Sequence, residues 1–179
     1  MYDWHLTTGS AYLTSGIGFG RAKLSAFDAA ELDANILSTN AVKVSSFIPP
    51  HWKIIQDKGA LIKFTDNGAF LPMAYAYSVS NHRSVAASLV IGINKDPQKA
   101  SIIMEHAGQG ITEEESLKES ETCVQDAFKA RNWEIERLEK AAIAANPRDG
   151  LYVCALVAVV FVVDTKDQSR LLGHLAYIE

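Results

Sequence analysis

The chain has 179 residues, of which 48% are hydrophobic, with a formal net charge of −4 and an isoelectric point near 5.7. This length is enough for one well-buried domain, and we expect residues 1–179 to form a single one. The acidic balance and the absence of a lysine or arginine cluster exclude a typical nucleic-acid-binding protein, whereas a small cationic substrate is compatible with them.

The cysteines and the apolar segments predict a cytoplasmic protein. Cys123 and Cys154 are the only cysteines, and their spacing is not that of a metal site. Residues 1–5 lack the basic and then apolar order of a signal peptide. Residues 151–163 are strongly apolar, but they are too few to span a membrane and are rich in β-branched side chains, which predicts a buried strand. We therefore expect neither a membrane association nor a bound metal.

The N-terminal region predicts a strand over residues 4–13, followed by a glycine-rich segment over residues 14–21. Glycines at 16, 18 and 20 suggest a nucleotide-binding loop, but the third glycine of GxGxxG would fall on Arg21. No Lys-Ser or Lys-Thr pair follows for a phosphate-binding loop either. The segment is interpreted as a flexible turn.

A helix is predicted to open at Leu24, with Ser25 as N-cap and Asp28 in the position of a capping box. It should end between residues 35 and 40. An alternating, strand-like run then leads to Ser45 and Ser46, and Pro49 and Pro50 follow at once. Because proline fixes its own φ and holds the preceding residue extended, the Ser45–Ser46 peptide is confined between a strand and a stiff exit. A hydroxyl there could press against the carbonyl before it; the ordinary alternative is a strand end with two turn serines.

The middle of the chain predicts three strands. Residues 69–79 and 85–93 are expected to form a hairpin turning at 81–83, and residues 100–106 form a further strand. Alternation places Glu105 on the same strand face as Ser101 and Ile103. A carboxyl in an apolar strand is costly unless it is paired, protonated or at an opening, so Glu105 is either functional or at an exposed strand end.

The C-terminal half begins with a second capping box at Thr112, which leads an amphipathic helix to about Arg131. Residues 133–145 have a helical composition but begin with a strand-like alternation, so their structure is left open. A turn at 146–150 precedes the apolar strand, and a short strand is expected over 171–178. The fold class is therefore α+β, with mostly antiparallel sheets flanked by helices.

Six ordered segments of the chain closely resemble the pyruvoyl-dependent arginine decarboxylases. They are Leu24-Ser25-Ala26-Phe27-Asp28, Asn40, Val44-Ser45-Ser46-Phe47-Ile48-Pro49-Pro50, Ala74-Tyr75-Ala76-Tyr77, Ile103-Met104-Glu105-His106-Ala107-Gly108 and Asn132-Trp133-Glu134. The resemblance runs from about Leu24 to Val160. It implies a sandwich of sheets covered by helices (αββα), assembled as homotrimers or dimers of trimers with active sites between subunits.

The resemblance also implies that the chain cuts itself between Ser45 and Ser46, into residues 1–45 (β chain) and 46–179 (α chain). The Ser46 hydroxyl would attack the carbonyl carbon of Ser45, moving the chain from amide to ester through a tetrahedral oxyanion. Such an oxyanion requires a hydrogen-bond donor, and the family assigns Asn40 to processing. Elimination of the ester and hydrolysis would leave a covalent pyruvoyl group, the cofactor, at position 46.

The implied activity is that of a carboxy-lyase converting L-arginine to agmatine and CO2 through a Schiff base on the pyruvoyl group. Glu105 would be the acid that reprotonates the α-carbon, its pKa raised by apolar neighbours such as Ile103. Asp28 would bind the guanidinium group through paired N–H bonds. Two alternatives remain: a pyruvoyl decarboxylase for another amino acid such as histidine, and an unprocessed, non-catalytic trimeric paralogue.

Overall fold

The structure, a computed structural model, describes residues 8–36, 38–65, 68–148 and 150–164. Within these residues the strands form two sheets. The elements in chain order are β1 (Gly9–Gly20), α1 (Lys23–Asp33), β2 (Asn40–Lys43), β3 (Phe47–Ile48), β4 (Lys53–Ile55), a 3-10 helix (Lys58–Phe64), β5 (Phe70–Ser80), β6 (Val85–Asn94), β7 (Ser101–Gln109), α2 (Glu113–Ala130), β8 (Ile135–Ala145) and β9 (Tyr152–Val163). The first sheet has the order β2-β5-β9-β1-β4 and the second β3-β7-β6-β8.

The layers follow the order α1, first sheet, second sheet, α2. Strand β9 shows why: its residues are buried on both faces, as in a strand covered from two sides. Val153, Ala155 and Val157 belong to the core between the sheets. Cys154 and Leu156 face the opposite way, into the core beneath α1. All strand pairs except β1–β4 and β2–β5 are antiparallel, so the predicted α+β sandwich is confirmed.

The glycine-rich segment predicted as a flexible turn is part of strand β1, so that prediction was wrong. Gly16, Gly18 and Gly20 alternate along β1 and lie against α1. A Cβ atom added at Gly18 would lie 2.2 Å from both the carbonyl oxygen of Ala26 and the amide nitrogen of Ala30. The glycines therefore allow the helix backbone to approach the sheet closely.

The predicted start of α1 was also wrong. The N-cap is Ala22, and Ser25 lies in the third helical position, where its hydroxyl accepts a hydrogen bond from the Ala22 N–H at 3.0 Å. Asp28 consequently lies beyond the first turn and is exposed, so it does not cap the helix. The second helix begins as predicted: the Thr112 hydroxyl accepts from the Glu115 N–H at 3.1 Å, and the Glu115 carboxylate accepts from the Thr112 N–H at 2.7 Å.

Strands β5 and β6 do not form the predicted hairpin. Strand β5 pairs with β2 and β9 in the first sheet, whereas β6 pairs with β7 and β8 in the second. The segment between them carries the chain from one sheet to the other. The open segment 133–145 is mostly strand β8, and the 3-10 helix was not predicted. The predictions for residues 4–7 and 171–178 lie outside the described residues.

No helix in the described part of the chain is long and apolar enough to cross a membrane.

Candidate active site

The Ser45–Ser46 peptide lies where the chain passes from the first sheet to the second. On one side, the Val44 N–H donates to the carbonyl oxygen of Met73 in β5 at 3.1 Å. On the other side, the Ser46 carbonyl oxygen accepts from the Ile103 N–H in β7 at 2.9 Å. Each sheet thus holds the backbone close to the bond that links the two serines.

A tight turn brings this peptide back on itself. The Phe47 N–H donates to the carbonyl oxygen of Ser45 at 3.0 Å, so the two groups lie on either side of Ser46. Phe47 and Ile48 then form β3, which pairs with β7. The expected strand before the serines is present as β2, and the chain after them is extended over residues 47–48, as the prolines predicted.

The Ser46 hydroxyl faces a carboxyl group. Its Oγ donates to Oε2 of Glu105 at 3.5 Å, which is long for a hydrogen bond but within the range of catalytic groups before substrate binds. Glu105 is half-buried in β7, and burial raises its pKa. The positive charge of Lys43 and the Ser46 hydrogen bond oppose this rise. A carboxyl so placed can take a proton from the hydroxyl or hold one for later transfer.

Lys43 is a site residue that the sequence reasoning missed. It lies on β2, its charge acts on Glu105, and its Nζ lies 4.9 Å from the centre of the Tyr75 ring. The signal was present, because a lysine stands between two valines in the predicted strand just before the serines. Lys43 is exposed, and its charge interacts with the Tyr75 ring and with the Glu105 carboxyl.

Asn40 lies on the same strand as Lys43 but is engaged elsewhere. Its side-chain Nδ2 donates to the carbonyl oxygen of Gly68 at 2.7 Å. Among the described residues, the hydrogen bonds of the Asn40 side chain do not reach Ser45 or Ser46. The structure therefore places Asn40 near the start of the segment that carries the serines, without bringing it to the Ser45 carbonyl.

Asp28 lies on α1 beside Glu31. Burial and the negative charge of Asp28 raise the pKa of Glu31 to about 7. The neighbouring Phe27 ring contacts Tyr77 at a centroid distance of 4.6 Å, and Tyr77 stacks on Tyr75 at 6.2 Å. Since Tyr75 also contacts Lys43, these aromatic rings connect the helix that carries Asp28 to the strand beside Glu105.

An apolar cavity of about 640 Å³ adjoins Ser45. Ser45 and Phe47 form part of its wall, and Trp52, Phe70 and Phe161 contribute aromatic side chains. Ser45, Phe47 and Phe70 are themselves exposed to solvent. In the described part of the chain, no group of three or more His, Cys, Asp or Glu side chains is arranged to hold a metal ion.

Comparison with known proteins gives consistent matches. The profile of the family "Pyruvoyl-dependent arginine decarboxylase" matches residues 10–166. The chain is 34% identical over 158 residues to the pyruvoyl-dependent arginine decarboxylase of Thermococcus sibiricus, covering 87% of this chain and 96% of that protein. It is 32% identical over 137 residues to that of Methanocaldococcus jannaschii, covering 73% and 77%. A solved pyruvoyl-dependent histidine decarboxylase at pH 8 is 18% identical, with a TM-score of 0.45 over 54% of this chain and 52% of the other.

These matches first define a class of enzyme, the carboxy-lyases whose covalent cofactor is a pyruvoyl group. Within that class, the chain belongs to the pyruvoyl-dependent arginine decarboxylase family. The family match begins at residue 10, so it includes the glycine-rich part of β1, which precedes the first of the resembling segments at Leu24.

Proposed function

We propose that this chain is a self-processing decarboxylase that converts L-arginine to agmatine and CO2, with Ser46 as the source of its pyruvoyl group. One observation carries the proposal: the Ser46 hydroxyl faces the Glu105 carboxyl at the passage between the sheets, in a chain of this family. No separate cofactor has to bind, because the carbon skeleton of serine becomes that of the pyruvoyl group.

Processing begins when the Ser46 Oγ attacks the carbonyl carbon of Ser45. Glu105, as carboxylate, takes the hydroxyl proton, and the Ser46 nitrogen gains a proton as its bond to that carbon breaks. A base then removes the α-proton of residue 46 as its Cβ–Oγ bond breaks, so residues 1–45 leave with a new carboxylate and residue 46 becomes dehydroalanine. Its imine tautomer takes up one water and loses ammonia, which leaves the ketone of the pyruvoyl group. The resemblance gives Asn40 a part in processing as an additional donor, and this requires its amide to leave the Gly68 carbonyl.

The two pieces, residues 1–45 and 46–179, stay together after cleavage. Strand β1 and helix α1 belong to the smaller piece, and β1 pairs with β9 of the larger one along its full length. The Val44 and Ser46 hydrogen bonds lie on opposite sides of the cut, so each new chain end keeps its own contact to a sheet. The two pieces therefore remain folded together as one domain after the proposed cleavage.

In decarboxylation, the pyruvoyl group supplies an electron sink for the bond that releases CO2. Glu105 donates the proton that the α-carbon receives afterwards. Burial raises the pKa of Glu105, and the positive charge of Lys43 and the Ser46 hydrogen bond oppose that rise, so the side chain can serve as carboxylate in processing and as acid in decarboxylation.

Asp28 is proposed to bind the guanidinium group of arginine. Its carboxylate is exposed and has a partner carboxyl in Glu31, while the rings of Phe27 and Tyr77 offer faces on which a guanidinium can stack. We further propose a homotrimer of processed units, or a dimer of trimers, acting in the cytoplasm. Exposed apolar side chains such as Leu24, at 77%, and Phe70, at 75%, support an assembly that covers them.

The test is an intact-mass measurement of the purified protein, followed by borohydride reduction in the presence of labelled arginine. We expect two chains corresponding to residues 1–45 and 46–179, and label attached to the larger one. A chain that stays whole after long incubation would contradict the proposal and favour an unprocessed binding protein.

The substrate is tested separately with Asp28→Asn. We expect a large rise in KM for arginine, because a neutral amide cannot pair with the guanidinium charge. Unchanged turnover of arginine would remove Asp28 from substrate recognition, and faster turnover of histidine than arginine by the parent protein would assign a different amino acid.

A further inference from the structure

The carbonyl oxygen of Ser45 already has a hydrogen-bond donor, and it is not the side chain that the family resemblance suggested. The Phe47 N–H donates to it at 3.0 Å, while the Asn40 amide donates to Gly68 at 2.7 Å. We propose that the backbone N–H of Phe47 stabilises the oxyanion that forms on Ser45 during self-cleavage. This inference rests on the proposed function, since it concerns the first step of processing.

The oxygen in question is the one on which negative charge develops. When the Ser46 Oγ bonds to the carbonyl carbon of Ser45, the C=O electron pair moves onto that oxygen, and the hydroxyl proton goes to Glu105. The pair returns when the bond to the Ser46 nitrogen breaks. A hydrogen bond to an anionic oxygen is stronger than one to a neutral carbonyl, so the Phe47 N–H stabilises the transition state more than the starting chain.

Three contacts keep this donor in place. Phe47 pairs with Ile102 in the second sheet, and the adjacent Ser46 carbonyl is bound by the Ile103 N–H at 2.9 Å. The Phe47 ring in turn lies 5.4 Å from the guanidinium carbon of Arg131. Because the sheet and the helix end both restrain residue 47, its N–H is already directed at the Ser45 oxygen before the charge appears.

The experiment replaces residue 47 with phenyllactic acid during translation, which exchanges the N–H for an oxygen and keeps the ring. The rate of conversion of the whole chain into the two pieces is followed by intact mass. We expect processing to slow by about 10² to 10³-fold, the usual effect of removing one oxyanion donor. Cleavage of the introduced ester itself would break the chain after residue 46 and gives a different mass.

Two controls separate the N–H from its surroundings. Phe47→Leu keeps the N–H and loses the ring contact with Arg131, so it should slow processing far less than the ester does. The corresponding hydroxy acid at Ile48 introduces the same ester one residue later and should also process at close to the parent rate.

Three results would overturn the inference. Processing of the phenyllactic acid variant within about three-fold of the parent would show that the N–H is not needed, while leaving the proposed function intact. Slowing by Phe47→Leu as large as that by the ester would assign the effect to ring packing. A parent chain that never processes would remove the proposed function and this inference with it.

Discussion

Two serines lie where the chain leaves the first sheet for the second, and their hydroxyls are used in opposite ways. Ser80, at the end of β5, is 2% exposed, and its Oγ accepts hydrogen bonds from the His82 N–H at 3.3 Å and the Arg83 N–H at 3.1 Å. Ser46, between β2 and β3, instead donates to the Glu105 carboxyl. The same residue type therefore closes a turn in one passage and faces a carboxyl group in the other.

This difference bears on the proposed reactivity of Ser46. The lone pairs of Ser80 are engaged by backbone N–H groups, which stabilise the turn and withdraw electron density from the oxygen. The hydroxyl of Ser46 acts as a donor, and its proton faces a group that can accept it. Both serines lie where the chain passes between the sheets, so this position does not distinguish them. They differ in whether the hydroxyl donates or accepts its hydrogen bonds.

The largest expected effect comes from removing each hydroxyl in turn. Ser46→Ala should abolish processing and decarboxylation completely, because no ester can form. Ser80→Ala should process normally and lose about 1 to 2 kcal/mol of stability, since two N–H groups lose their acceptor. Intact mass and thermal unfolding measure both. Decarboxylation by Ser46→Ala at the parent rate would refute the covalent cofactor.

Glu105→Gln tests the proposed proton-transfer role of the carboxyl group that the Ser46 hydroxyl contacts. The amide keeps the size of the side chain but cannot transfer the proton, so kcat per processed chain should fall by about 10² to 10⁴-fold. Processing should slow as well. Glu121→Gln, which breaks the surface ion pair with Lys140 at 2.6 Å, is the matched control and should leave both rates unchanged. Equal activity of Glu105→Gln and the parent would exclude Glu105 as the acid.

Lys43→Met tests how the charge of Lys43 affects the pKa of Glu105. The positive charge of Lys43 lowers the pKa of Glu105, so its removal should raise that pKa further. The alkaline fall in decarboxylation, where Glu105 loses its proton, should then move to higher pH. The acidic fall in the processing rate should move in the same direction, because processing needs the carboxylate. Lys63→Met, which removes a lysine 5.0 Å from the Phe64 ring, is the control. A shift to lower pH would contradict this assignment.

Local patterns in the sequence predicted the fold class, the strand before the serines and the strand that carries Glu105, but not contacts between distant segments. The roles of Ser46 and Glu105 came from the family resemblance and stay predictions. The hairpin at 81–83 failed because a turn signal does not say whether the two strands share a sheet. The glycines of β1 were misread because their function depends on how closely α1 packs. The hydrogen bond from the Phe47 N–H to the Ser45 carbonyl could not be predicted from the sequence, because it depends on the backbone angles of one residue.

A second half-buried carboxyl, that of Glu31, provides the smallest and last test. Burial together with the charge of Asp28 raises its pKa to about 7, compared with 4.5 for an ordinary glutamate. The folded chain therefore holds this proton more tightly than the unfolded chain. Stability should fall as pH rises from about 4.5 to about 7, because the unfolded chain loses the proton first.

Glu31→Gln removes this loss of stability. It should stabilise the protein by about 1 to 2 kcal/mol at pH 8, a value reduced for solvent screening, and it should have no such advantage at pH 4.5. Denaturant unfolding at the two pH values measures the difference, and an equal effect at both would show that the gain is not electrostatic.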